Sequence, residues 1–289
     1  IMGDLIDLGA LVPMKHLVVD QEVRLDCSQI HCYEAITIKD KGILTTEAYK
    51  KDKSSGILRI RCLGNVIIEK GGKIDVSELG WKGGKNNGLS ADGIDVSGMS
   101  LGGKLGKCDK KPNHGGGGGG ESSSKYGSSA GAGAGYGTKG ENAEDNKYSG
   151  KVNPGGLGGE TYSDENLALG LVLGSGGGAG TLYSNKENDI NKYPHGGHGG
   201  GALELLALEV TIEEGGGIYS NGQDGVSGSA TYASGGGGGS GGTILIRTPT
   251  LNNSGEIVSK GGAGGKGGPT SNCAGICSIG GAGGHGRQI

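Results

Sequence analysis

Few residues of this chain have the types and spacing for chemistry. The six cysteines are Cys27, Cys32, Cys62, Cys108, Cys273 and Cys277. They form an even set that admits three disulfides, in any of about 15 connectivities, and are the disulfide candidates. Cys27 with Cys32, and Cys273 with Cys277, are near enough in sequence to close small local loops. Six reduced, buried thiols are the alternative. No Cys-x-x-Cys pair occurs, so structural zinc is not expected. His195 and His198 stand three residues apart and would share one face of a helix with three residues per turn, a spacing that could suit a metal. Asp92, Asp95 and Asp224 could offer oxygens to calcium, which wants six to eight of them. Isolated Asp-Gly pairs are ordinarily turns, however, and histidines on a glycine rod are ordinarily solvated. No metal and no cofactor is therefore expected. Asn252 opens the sequon Asn252-Asn253-Ser254 and is the glycosylation candidate.

Arg59, Arg61, Glu204 and Arg247 fall at outward positions of apolar segments. Together they could form one charged stripe, of the kind polysaccharide-cleaving β-solenoid enzymes place on a strand face. A solvated outer face is the plainer reading. Gly-x-Gly-x-x-Gly strings abound through composition alone, and none follows a strand and opens a helix. Neither a phosphate-binding loop ending in Gly-Lys-Ser/Thr nor a nucleophile elbow is present. An enzyme is not expected. A carbohydrate-active β-helix enzyme and a glycan-binding adhesin are the competing functional readings.

What must position these residues is a repeat. Residues 56–77, 201–222 and 242–261 share a Gly-to-Gly frame, with a degenerate copy at 35–46. Leu58/Ile60, Leu203/Leu205 and Ile244/Ile246 alternate with residues that can face outward. Val66/Ile68, Val210/Ile212 and Ile36/Ile38 mark a second segment, and Ile74, Ile218, Ile257 and Ile43 a third. Alternation of period two predicts strands buried on one face. One unit of 20–25 residues cannot bury its own apolar face, whereas stacked units line apolar residues up into a continuous core. A β-sandwich is the alternative architecture.

Between the copies run glycine-rich stretches. Glycine is 70 of 289 residues, Phe is absent, Trp occurs once, and the formal net charge is −3. Glycine lacks the strict triplet period of collagen, no apolar run reaches the roughly 20 residues of a membrane helix, and the charge gives no case for nucleic acid. The stretches at 195–200, 261–268 and 280–286 have period three, the repeat of polyproline II. Backbones without side chains can approach closely and bond to one another. Tyr136, Tyr148, Tyr162, Leu167, Leu169, Leu171, Val172 and Leu173 punctuate the first stretch as anchors, and Trp81 stands at its start.

The frame Gly-x-Leu-x-Ile, Val-x-Ile, Gly-x-Ile, Gly-Gly-x-Gly resembles a family of glycine-rich repeat proteins, predicted to be secreted or surface-bound, in myxobacteria, plants and protists. Residues 135–141 and 173–180 are its most specific pieces. The glycine-rich stretches more distantly resemble polyglycine-II modules of phage tail adhesins and springtail antifreeze proteins. The resemblance implies a scaffold and a location rather than a reaction.

The expected fold is all-β: a short right-handed parallel β-solenoid, or β-helix, with polyglycine-II-like insertions on one side. It forms a single domain over 1–289, with a cap or docking segment at 1–34, first coils at 35–79, a glycine-rich insertion at 80–200, a coil at 201–222, a glycine-rich loop at 223–241, a coil at 242–261 and a glycine-rich tail at 262–289. The expected role is a non-catalytic extracellular or cell-surface structural protein that self-associates into a filament, sheath or surface layer. Glycans are possible partners, and neither nucleic acid nor membrane insertion is expected.

Overall fold

The computed structural model describes residues 15–50, 55–84, 116–117, 122–123, 127–148, 151–161, 171–181, 194–229, 233–268 and 279–289. Their regular structure is all extended, with no helix among the described residues. The chain opens with β1 (Leu17–Val19), β2 (Glu22–Leu25), β3 (His31–Tyr33), β4 (Ile36–Ile38), β5 (Ile43–Thr46), β6 (Ile57–Ile68) and β7 (Lys73–Asp75). Two short antiparallel pairs follow: β8 (Ser122–Ser123) with β9 (Gly127–Ser128), and β10 (Asn146–Tyr148) with β11 (Lys151–Asn153). Then come β12 (Ala202–Ile212), β13 (Gly217–Tyr219), β14 (Thr243–Arg247), β15 (Thr250–Asn253), β16 (Glu256–Val258) and β17 (Arg287–Gln288).

Every other pairing is parallel. The larger sheet has eight strands in the order β1-β4-β6-β12-β14-β17, with β3 also paired to β6 and β15 to β12. The smaller sheet has five, in the order β16-β13-β7-β5-β2. The chain visits the two sheets in turn, so each passage lays a strand beside the one before. Like residues meet in ladders. Leu58, Leu203 and Ile244 form one, and Ile60, Leu205 and Ile246 another. Leu17, Ile36, Val66, Val210 and Leu251 form a third. On the smaller sheet Val23, Leu44, Ile74, Ile218 and Ile257 align. The inward members from both sheets join one apolar cluster.

Turn chemistry repeats with the ladders. The amides of Gly42, Gly72 and Gly216 bond back to the carbonyls of Lys39, Glu69 and Glu213. The third residue of each turn has positive φ: Lys41 at 64°, Gly71 and Gly215 at 82°. This is a left-handed conformation that glycine adopts at low cost. A bulge interrupts β6, where Cys62 pairs with Ala207 but Asn65 with Glu209. A Cβ on Gly64 there would lie 2.7 Å from the Glu34 carbonyl oxygen.

Three local expectations change. Leu44, not Ile43, aligns with Ile74, Ile218 and Ile257 on the smaller sheet, because Ile43 pairs with Lys73. The copy at 242–261 does have a second strand, β15, hidden from the pattern because all four of its residues are exposed. Residues 17–33 supply three strands to the two sheets, and β17 lies within the glycine-rich tail.

Leu205 is fully buried, whereas Leu208 of the same strand is 46 % exposed. Leu205→Ala should cost about 2–5 kcal/mol of unfolding free energy. Leu208→Ala should be near neutral in the same denaturant titration.

Candidate functional site

The glycine-rich segments carry the most organised polar structure outside the sheets. Along 234–242, Ser234, Gly237 and Ser240 donate their amides to Thr181, Gly178 and Ser175. Gly236, Gly239 and Gly242 donate to Val226, Gln223 and Ser220, while Gly238 and Gly241 donate to Gly281 and Gly284. These N···O distances are 2.8–3.0 Å. Carbonyls of the same segment accept from three further neighbours: Gly131 and Ala134, Gly197 and Gly200, and Gly262 and Gly265. Each neighbour is met every third residue, so the segment is bonded on six sides. Some neighbours run parallel to it and others antiparallel.

Clearance explains why these residues are glycine. A Cβ on Gly235 or Gly237 would lie 1.8 Å from a carbonyl oxygen, on Gly238 or Gly239 2.0 Å, and on Gly236 2.1 Å. None of them is left-handed; among described glycines only Gly56, Gly71 and Gly215 have positive φ. The glycines are therefore required by neighbours and not by their own dihedrals. Methyl groups fit at Ala130, Ala132, Ala134 and Ala179, all fully buried. The alternating Ala-Gly run thus lies inside the array.

Side chains close the array where neighbours run out. Asn221 Oδ1, Asp224 Oδ1 and Ser227 Oγ accept the amides of Lys260, Ala263 and Lys266 at 2.8, 2.7 and 3.0 Å. On another margin Thr138 Oγ1 accepts from His285, and carboxylate oxygens of Glu141 and Glu144 accept from Ala282 and Ile279. Both sets have period three. The Asp224 carboxylate, a calcium candidate by sequence, therefore caps a neighbouring backbone.

Buried hydroxyls tie the array to the sheets. Ser220 Oγ donates to the Gly201 carbonyl and Ser259 Oγ to that of Gly242, both at 2.7 Å. Thr243 Oγ1 donates to the Val172 carbonyl at 2.7 Å, so the Tyr136 hydroxyl, 2.6 Å away, donates to Thr243. Tyr136 is fully buried, and burial pushes its phenol above the usual range. Trp81 packs on Tyr49, with ring centroids 4.3 Å apart, against the cluster of Ile57, Leu173 and Ala202. Tyr136, Leu171, Leu173 and Trp81 are anchors, as expected. Tyr162, Leu167 and Leu169 lie outside the described residues.

By register the four charged residues fall on two alternate ladders of one strand face. Glu204 sits beside Arg59 in the register and binds Arg61 at 3.0 Å, with Arg59 Nε 4.0 Å away. Arg247 shares a ladder with Arg61, with Leu206 between them, and is not equivalent to Arg59. One carboxylate held by two guanidiniums is an acceptor already engaged, and its own side chain is only 14 % exposed.

Cys32 and Cys62 are buried free thiols, so the short Cys27–Cys32 loop is not closed. Cys32 pairs with Arg61 and Cys62 with Tyr33, which puts the two thiols on opposite faces of adjacent strands. Burial pushes both thiols up. Cys27 is also buried. Cys108, Cys273, Cys277, Asp92 and Asp95 lie outside the described residues. His195 and His198 are half-buried in segment 194–200, and His198 Nδ1 accepts the Gly83 amide at 3.1 Å. Among the described residues no three His, Cys, Asp or Glu side chains gather as a metal site. Asn252 is exposed on β15 and donates to Glu209 at 2.9 Å.

No protein-family model, curated protein or solved structure matches the chain.

Gly237→Ala drives a methyl into the Ala132 carbonyl and should cost about 1–3 kcal/mol of stability. Lys266→Ala, exposed at the margin, should leave the melting temperature unchanged.

Proposed function

We propose that this chain is a non-catalytic structural protein of the cell exterior or surface, whose copies self-assemble into a filament, sheath or surface layer. In this reading the parallel sheets form a short right-handed β-solenoid. The glycine-rich segments form a polyglycine-II-like bundle on one flank. The right hand follows the near-universal hand of parallel crossovers, and three residues per turn is the polyglycine-II repeat.

The carrying observation is the six-sided bonding of 234–242. Ordering a residue's backbone costs about 1–2 kcal/mol, and most for glycine. A bundle made this way presents little side-chain chemistry. What it supplies is a stiff, cross-bonded body, which suits a material better than a catalyst. The resemblance to secreted glycine-rich repeat proteins points the same way, as does a sequon whose Asn252 side chain is accessible.

Purified chain, examined by light scattering and negative-stain electron microscopy across a concentration series, should form ordered fibres or sheets. A strictly monomeric protein at every concentration that binds glycans on an array would favour an adhesin and overturn this reading.

A further inference from the structure

Segment 80–84 leads the chain out of the sheets and into the glycine-rich array. Its Trp81 and Gly84 amides donate to the carbonyls of Gly174 and Gly177, and its Gly80 amide to that of Gly199. In return the Trp81 and Gly84 carbonyls accept from Gly199 and Gly196. The segment is thus fastened to two neighbours by backbone alone, except at one point. The buried Gly83 amide donates to His198 Nδ1 at 3.1 Å. A ring nitrogen accepts only while it carries no proton, so this bond requires a neutral imidazole with its proton on Nε2. The other margins of the array are capped by amide, hydroxyl and carboxylate oxygens. Those keep their acceptor capacity between about pH 5 and 8, whereas an imidazole with an ordinary pKa of about 6.5 does not.

We propose that His198 is a pH-sensitive latch on segment 80–84. Neutral, it fastens the segment to the array; protonated, it releases it. The sign follows from the acceptor. The bond is present above the ordinary histidine pKa and is lost as pH falls below it. No ring rotation restores it, because both nitrogens of an imidazolium are donors. The Gly83 amide has no easy alternative either. A Cβ at Gly83 would lie 1.9 Å from the Gly196 carbonyl oxygen, so the segment is packed against its neighbour and must shift before water reaches the amide. A buried amide left without an acceptor favours that shift.

The described segments bonded to 194–200 bring few charges to the ring. Segment 80–84 carries Lys82, with Glu78 just before it, and segment 221–227 carries Asp224. Segments 174–181 and 234–242 carry no titratable side chain, and His195 is the other titratable group of the segment itself. Lys82 and a protonated His195 oppose a charge on His198, and Glu78 and Asp224 favour one. His198 is also held from behind: its amide donates to Gln223 Oε1 at 3.2 Å, and its carbonyl accepts the Gln223 amide at 2.7 Å. Its backbone therefore stays in the array when the ring lets go, and the strap at 80–84 is the part that loosens. The latch goes beyond the structural reading above and holds whether or not copies assemble.

Amide exchange of Gly83 in the full chain, divided at each pH by the rate of an unstructured peptide, reads the latch. Its protection should fall about 5–150-fold between roughly pH 7.5 and 5. The protection of Gly237, whose amide is bonded to the Gly178 carbonyl inside the array, should stay constant over the same range. His198→Asn places an amide oxygen where Nδ1 stands, and that oxygen accepts at every pH, so Gly83 should stay protected throughout. His198→Ala should leave Gly83 poorly protected throughout. Wild-type protection that stays flat with pH, or a His198→Asn chain that repeats the wild-type fall, overturns the latch. Should neither variant fold by circular dichroism, the wild-type profile of Gly83 against Gly237 still decides.

Discussion

A buried backbone amide or carbonyl must find a partner, and in the glycine-rich half of this chain the partners are other backbones. This constraint governs the molecule. Side-chain burial cannot organise segments that have almost no side chains. Hydrogen bonding can, but only if chains approach until a Cβ would strike a neighbouring carbonyl. The glycine content follows from that distance. Gly237, which would place a Cβ 1.8 Å from the Ala132 oxygen, has an ordinary negative-φ backbone open to any residue. The contact alone excludes one. Leaving a buried amide unbonded costs about 1–3 kcal/mol, so the array is stable as a whole and costly to open anywhere inside.

The sheets and the array depend on each other. Parallel strands hold the chain at a fixed spacing, and each glycine-rich segment leaves the sheets already aligned with its neighbours. In return the array closes the long connections that parallel strands require. The junction is made by small buried hydroxyls: Ser220, Ser259 and Thr243 each donate to a carbonyl where strand gives way to array. Tyr136 bridges the two regions with a fully buried phenol. Where the array meets solvent, side chains replace missing backbones at every third residue, as Asn221, Asp224 and Ser227 do.

Much of the parallel all-β fold was legible from apolar alternation. Ile74, Ile218 and Ile257 can be aligned from the Gly-to-Gly frame, and they share a ladder. The pattern failed where burial did not accompany pairing. β15 is exposed at all four residues, so nothing in its hydrophobicity marks it as a strand. Ile43 and Leu44 are adjacent and both apolar, and the register that chooses Leu44 is set by the turn at Lys41. Period three was visible at 195–200, 261–268 and 280–286, but not which segments would be neighbours, because glycines carry no pattern that tells one partner from another. The acceptors spaced three apart at 221, 224 and 227 were a readable signal. By residue type Asp224 suits calcium equally well, since side chains that cap a backbone look the same in sequence as side chains that could bind an ion.

Amide hydrogen exchange resolved by residue measures the backbone array directly. The amides of 236–242, each bonded to a neighbouring carbonyl, should exchange as slowly as those of β6 and β12. Fast, uniform exchange across 236–242 in a protein whose strands remain protected would contradict the array and, with it, the reason for the glycines.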